Sequence, residues 1–236
     1  MSGAAILLWE LLGTAVMVVL GSGVVANVVL GRTYGDGSGW VTITLGWGFG
    51  VFAGASIADP SGGHVNPAVT LGLAIRGLTP WPDVPWYVVG QLLGAVLGAV
   101  VAWATYKLQF DHNEDNSGTR GIFCTTPLVR SPGWNLLTEA VATFVLVLYV
   151  LAGPTDTALG YAAVAFVVIG IGCSLGGPTG YAINPARDLG PRIAYALLPI
   201  PGKAGADWSY ALVPVVGPVV GAVAAGWTVG GMSLLG

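Results

Sequence analysis

Charge is what this chain has least of. Only 8% of its 236 residues are Asp, Glu, Lys or Arg, where soluble domains carry about 25%. A chain so poor in charge cannot cover a water-facing surface, and a mean hydropathy of +0.77 turns its outer face to lipid. The net charge of −3 offers no basic patch for nucleic acid. Two cysteines, Cys124 and Cys173, are too few for a disulfide framework and read as free thiols. The two histidines, His64 and His112, sit in unlike contexts, and no His/Cys/Asp/Glu group has metal-ligand spacing, so neither metal nor cofactor is expected. No nucleophile–base pair or cofactor loop stands out, which argues against an enzyme. The first apolar run lacks a basic leader and continues past Leu20, too far for a signal-peptide core, so it is expected to stay as a span.

What the chain has is long apolar segments, 54% hydrophobic residues and 38 glycines. The length suits about six spans of roughly 20 residues with short loops, and glycine is expected where helices pack closely in lipid. Residues 4–30 read as the first span, interrupted by Glu10, and 40–58 as the second. Residues 59–65 form a non-helical lead-in to a short helix, 66–76, too short to cross a bilayer. Pro80, Pro82 and Pro85 mark a turn before the third span, 86–106. The polar stretch 108–133 joins the two halves. Spans at 134–152 and 158–175 follow, separated by a tight turn at 154–157. A second lead-in, 176–183, opens a second short helix, 184–197. A Pro/Gly loop, 199–207, reaches the last span, 208–235. Trp40, Trp86, Trp134 and Trp208 lie at span ends and read as interface anchors.

The halves repeat. Glu10-Leu11-Leu12-Gly13-Thr14 matches Glu139-Ala140-Val141-Ala142-Thr143, and Gly90-Gln91-Leu92-Leu93-Gly94-Ala95 matches Gly217-Pro218-Val219-Val220-Gly221-Ala222. Most telling are two triplets, Asn66-Pro67-Ala68 and Asn184-Pro185-Ala186, in a chain with only six asparagines. Each half, 4–107 and 134–236, carries three spans. The second copy must therefore enter the membrane inverted, and such repeats put a site near the midplane.

Asn is a strong N-cap and Pro is favoured at the first helical position, so Asn-Pro-Ala is a compact helix start. Two starts inserted from opposite faces meet end to end, each carrying about half a positive charge. Each capping asparagine keeps an amide N–H for a passing neutral solute, while a cation meets two positive ends. Backbone carbonyls of the lead-ins line one wall and accept from hydroxyls or water. The pattern points to a pore for uncharged polar solutes.

The paired triplets, their Gly-rich lead-ins and the Glu-x-x-x-Thr repeats resemble the aquaporin superfamily, specifically its glycerol-facilitator (aquaglyceroporin) branch, over nearly the whole chain. The resemblance implies an all-α membrane channel: six transmembrane helices plus two re-entrant half-helices in an inverted repeat, one channel domain over 1–236. It implies a homotetramer in which each chain holds its own pore, and passive diffusion of glycerol, other small polyols and some water, with urea a further candidate. It also implies a selectivity filter of Trp47, Gly172, Tyr181 and Arg187. Counting strictly back from Asn66 would select Gly46, but the string Trp47-Gly48-Phe49-Gly50-Val51 matches the family, with a deletion at Asp59-Pro60. Tyr181 stands where glycerol facilitators usually have Phe, and adds either bulk or a donor. Gly172 stands where water-selective members have His, and is expected to leave width in the pore. Asp188 and Arg192 also look like the glycerol branch, and Asp188 suits the half-helix dipole.

Other readings remain beside these. His64 is either a packed polar residue or, as the resemblance suggests, a pore-lining support. Glu10 and Glu139, acids inside spans, read as acceptors for lead-in N–H groups or as a proton relay. Cys173, beside Gly172, is a small packing residue or a mercury-sensitive one. The rivals to a glycerol channel are a water-selective channel, a proton-coupled small-solute transporter and a non-conducting scaffold. With both termini cytoplasmic, as the resemblance implies, Arg32, Lys107, Arg120, Arg130 and Lys203 fall outside and only Arg76 inside, the reverse of the positive-inside rule. The short termini fit a bacterial inner-membrane protein.

Overall fold

The computed structural model describes residues 1–154 and 158–232. The described residues form nine α-helices and no strand. Helix α1 (Gly3–Val29) starts at Ser2, whose hydroxyl accepts from the Ala5 N–H at 3.3 Å. It is followed by α2 (Trp40–Ile57) and the nine-residue α3 (Pro67–Ile75). Then come α4 (Val84–Thr105), a short α5 (Lys107–His112) and α6 (Pro132–Ala152). The chain closes with α7 (Tyr161–Leu175), α8 (Pro185–Leu197) and α9 (Val213–Met232).

Five of these, α1, α2, α4 with its preceding turn, α6 and α9, are long and apolar enough to cross a membrane. The expected sixth, α7, has 15 residues and spans the same depth as its neighbour α2. The Tyr161 hydroxyl at its start donates to Asp59 just after α2, and Gly172 near its end accepts from Trp40 at the start of α2. At about 1.5 Å per residue, α3 and α8 are too short to cross the hydrocarbon layer. Each packs on a helix of the other half, α3 on α9 and α8 on α4, so the halves interlock.

Packing follows the repeat. Helix α4 lies on α1 and α9 on α6, and the closest approaches use matched glycines. A Cβ on Gly94 would stand 2.3 Å from the Leu11 carbonyl, and one on Gly221 2.3 Å from the Ala140 carbonyl. Those carbonyls belong to the residues that follow Glu10 and Glu139. Small residues at such crossings let backbones touch where lipid supplies no hydrophobic drive.

Several boundaries differ from the sequence reading. Helix α9 begins at Val213, since Trp208–Leu212 are turns. The left-handed Asp207 (φ +52°) precedes those turns, and Pro214 suits a first helical turn. Helix α7 begins at Tyr161, after Gly160 at φ +51°. Residues 155–157 of the expected tight turn and 233–236 of the last span lie outside the described residues. The joining stretch 108–133 also does more than connect. Its Phe110, Ile122 and Phe123 are buried, and part of it folds against α8.

Candidate pore

The half-helices meet as their sequence asks. Asn66 caps α3, its side-chain oxygen accepting from the Ala68 N–H at 2.9 Å. Asn184 caps α8, accepting from Ala186 and Arg187 at 3.0 and 3.1 Å. Pro67 and Pro185 occupy the first helical positions, and Ala68 and Ala186 are fully buried. Each asparagine also reaches across the repeat: Asn66 Nδ2 donates to the Ile183 carbonyl and Asn184 Nδ2 to the Val65 carbonyl, both at 2.9 Å. A carboxamide nitrogen has two N–H groups, so one on each remains for the void that both residues line.

Unusual backbone makes this crossing possible. Val65 (φ +44°) and Ile183 (φ +45°) are left-handed, a conformation β-branched residues rarely adopt. The same pattern runs back along each lead-in, with Gly62 and Gly63 at +96° and +65° against Gly180 and Tyr181 at +83° and +39°. Such strain persists only where surroundings over-determine it, and here two buried carboxylates do so. Glu10 accepts from Ser61 Oγ (2.8 Å), His64 N (3.1 Å), Val65 N (2.8 Å) and Gln91 Nε2 (2.7 Å). Glu139 accepts from Thr179 Oγ1 (2.6 Å), Ala182 N (3.0 Å) and Ile183 N (2.8 Å). Neither lines the void, and their acceptor sites are filled by the lead-ins and, for Glu10, also by Gln91 of α4. This geometry suits the acceptor role and not the proton relay.

Two voids adjoin beside the half-helices. One of about 750 Å³ runs past the two asparagines, and His64 lines it beside them. The His64 ring stacks on Tyr87 at 4.1 Å, with Nδ1 at 3.0 Å from Thr70 Oγ1. The other, about 490 Å³, is bounded by Trp40, Ile43 and residues of the joining stretch. Three residues line both: Trp47, Tyr181 and Arg187. The guanidinium of Arg187 rests on the Trp47 indole, Cζ 3.7 Å from the ring centre, and Nη1 donates to the Phe123 carbonyl at 3.3 Å. The stacked pair and the Tyr181 ring together border both voids, where the two adjoin. Gly46 instead packs against Val24, where a Cβ would stand at 2.5 Å.

Gly172 is close to this ring of residues but lines neither void. Tyr181 fills the space that its missing side chain leaves: a Cβ there would stand 2.8 Å from Tyr181 Cζ and 3.0 Å from Oη. The expected extra width is thus a seat for the tyrosine, whose hydroxyl is buried without a partner among the described residues. Cys173 lies off both voids, with Sγ 3.3 Å from Thr44 Oγ1, while Cys124 lines the void bounded by Trp40. Burial, reinforced by Asp188, pushes the Cys124 thiol up to about 12 and keeps it protonated.

Asp188 faces away from the path. It accepts from Thr125 N and Oγ1, both at 2.7 Å, and from Arg192 Nε at 2.8 Å. Arg192 in turn donates to the carbonyls of Thr125 (3.0 Å), Ala206 (2.6 Å) and Asp207 (3.1 Å). Both side chains are fully buried, and a buried pair of this kind is tolerated only when its remaining hydrogen bonds are filled. The pair clamps the joining stretch so that the Phe123 carbonyl meets Arg187. Sequence reasoning missed this wall, since no periodicity marks 123–126. It also missed Trp40, read as an interface anchor: its Nε1 donates to the Gly172 carbonyl at 2.9 Å and its ring meets Tyr181 edge-on at 5.7 Å.

Half-helices meeting head to head inside an inverted helical repeat, with two adjoining voids beside them, define a membrane channel of the aquaporin-like fold. The chain belongs to the major intrinsic protein family, whose sequence profile matches residues 4–229. It is 49% identical to a probable glycerol uptake facilitator protein of Thermotoga maritima, over 93% of this chain and 95% of that one. It is 47% identical to the glycerol uptake facilitator protein of Streptococcus pneumoniae, over 92% and 94%. Among solved structures it resembles the aquaglyceroporin of Plasmodium falciparum, with a TM-score of 0.83 and 28% identity over 96% of this chain and 95% of that one.

Proposed function

We propose that this chain is a channel for passive, bidirectional diffusion of glycerol and other small uncharged polyols, with some water, and that it excludes ions and protons. The observation that carries the reading is the meeting of the two voids at Trp47, Tyr181 and Arg187 alone. Indole and phenol faces give the carbon chain an apolar wall, and the guanidinium gives hydroxyl oxygens fixed N–H donors. A polyol satisfies both at once. Beyond the filter, Asn66 and Asn184 offer N–H groups to the same hydroxyls, and the half-helix dipoles repel a cation. Each residue acts by contact, and no step makes or breaks a bond. Gly172 acts through Tyr181, and His64, Glu10, Glu139 and Asp188 hold the path in shape.

The finer parts of the reading rest on family membership and on bacterial relatives: one channel unit per chain, a homotetramer with a pore in each subunit, and a bacterial cell membrane with both termini cytoplasmic. The test is tracer equilibration in proteoliposomes. Labelled glycerol is expected to reach equal concentration on both sides, with or without an imposed proton gradient. Accumulation above the outside level would mark a coupled transporter and contradict the channel.

A further inference from the structure

Tyr181 carries the aromatic wall of the filter, yet little of what fixes its ring lies in the filter. The ring sits in a slot between α2 and the C-terminal end of α7. A Cβ added to Gly172 would stand 2.8 Å from both Tyr181 Cζ and Thr44 Cγ2. One added to Gly176, a turn later, would stand 2.6 Å from Tyr181 Cδ1 and 2.9 Å from Trp40 Cζ2. Trp40 closes the slot edge-on and is tied to it through the Gly172 carbonyl. Thr44 presents its methyl to the slot, since its hydroxyl donates to the Val41 carbonyl at 2.8 Å and lies against Cys173. Among the described residues the Tyr181 hydroxyl has no hydrogen-bond partner. Packing alone positions the ring, and packing at protein density transmits small changes.

We propose that Gly176 and Thr44, neither of which lines either void, are positioning residues that set the largest solute the filter passes, by fixing how far the Tyr181 ring projects into the path. This rests on the proposed function above. A shallower slot pushes the ring inward and rejects glycerol before water. A deeper one lets the ring withdraw and admits a longer polyol.

The experiment compares water, glycerol and erythritol permeabilities in proteoliposomes of wild type, Gly176→Ala, Gly176→Ala with Tyr181→Leu, and Thr44→Ser. Gly176 has ordinary helical torsions (φ −76°, ψ −19°), so alanine acts there by bulk alone. Gly176→Ala is expected to lower glycerol permeability about tenfold and water less than about threefold, and the smaller leucine of the double variant is expected to restore glycerol. The added methyl also meets the Gly172 carbonyl at 2.6 Å, so Thr44→Ser gives an independent reading. It keeps the hydroxyl, removes only the methyl, and is expected to raise erythritol permeability about threefold relative to water. Misfolding cannot produce shifts of opposite sign. Solute ratios that stay at the wild-type value in either variant, or glycerol and water falling together without restoration, overturn the inference. Wild-type vesicles that pass glycerol keep the function in place in either case. Wild-type vesicles that pass none overturn the function and this inference with it.

Discussion

Among the described residues, Arg187 is the only Asp, Glu, Lys or Arg side chain that lines either void. Its charge faces the path with one protein acceptor, the Phe123 carbonyl, and one aromatic face. Arg187→Ala is expected to widen the filter and remove its fixed charge, raising erythritol flux about tenfold and letting protons leak. Re-swelling rates and a pH dye inside the vesicles read the two effects. Tyr181 allows a separate prediction about stability. Its buried hydroxyl lacks a partner among the described residues, and such a group costs about 1 kcal/mol or more. Tyr181→Phe is therefore expected to raise the thermal unfolding midpoint of the solubilised protein. Trp47, Tyr181 and Arg187 are legible in the sequence as one group, and all three line both voids, because motif and spacing name positions along the chain. The sequence does not show that Tyr181 fills the space over Gly172 or that Trp40 bonds to the Gly172 carbonyl, because what fills the space beside a glycine depends on neighbours remote in sequence.

At the scale of elements, the two lead-ins are the strained parts, and Glu10 and Glu139 hold them. Glu139→Gln exchanges an acceptor oxygen for an NH2 group facing the donors from residues 179–183. It is expected to destabilise the second lead-in by about 2 kcal/mol, read as lower folded yield and a lower unfolding midpoint. Asp188→Asn is expected to loosen the joining stretch, since one side-chain oxygen now serves Thr125 and Arg192 together. Faster hydrogen exchange at residues 123–126 would register it. These elements differ in how well the sequence announces them. The half-helices are legible from Asn-Pro-Ala alone, because capping is local chemistry. The role of 123–126 is not, because its fold is dictated by buried Asp188 and Arg192, which need partners but do not say which.

Over the whole molecule, the conflict with the positive-inside rule has a structural counterpart. The cations that the proposed orientation puts outside are mostly committed to partners in the loops and helix ends around them. Lys203 caps α8 through the carbonyls of Tyr195, Ala196 (3.0 Å) and Leu198 (2.6 Å), and Lys107 pairs with Asp111. Arg120 donates to Gly205 (2.9 Å), and Arg130 pairs with Asp207. Partial burial pushes the Asp207 carboxyl up, but the Ser209 hydroxyl and the two arginines outweigh it and hold it below the usual carboxylate range. A depressed folded-state value stabilises the loop above the unfolded-state value, and that contribution is lost as pH falls through the folded one. Acid is therefore expected to loosen residues 199–207, read as faster proteolysis beside Lys203 in the acid carboxylate range and none of that change near neutrality. The most direct test of the channel is stopped-flow light scattering on proteoliposomes, comparing glycerol, water and a large polyol with empty vesicles. Fast re-swelling in glycerol, with the large polyol held out, is the expected result. Fast water shrinkage with no glycerol entering would mean that Trp47, Tyr181 and Arg187 close the path to polyols, and would contradict it.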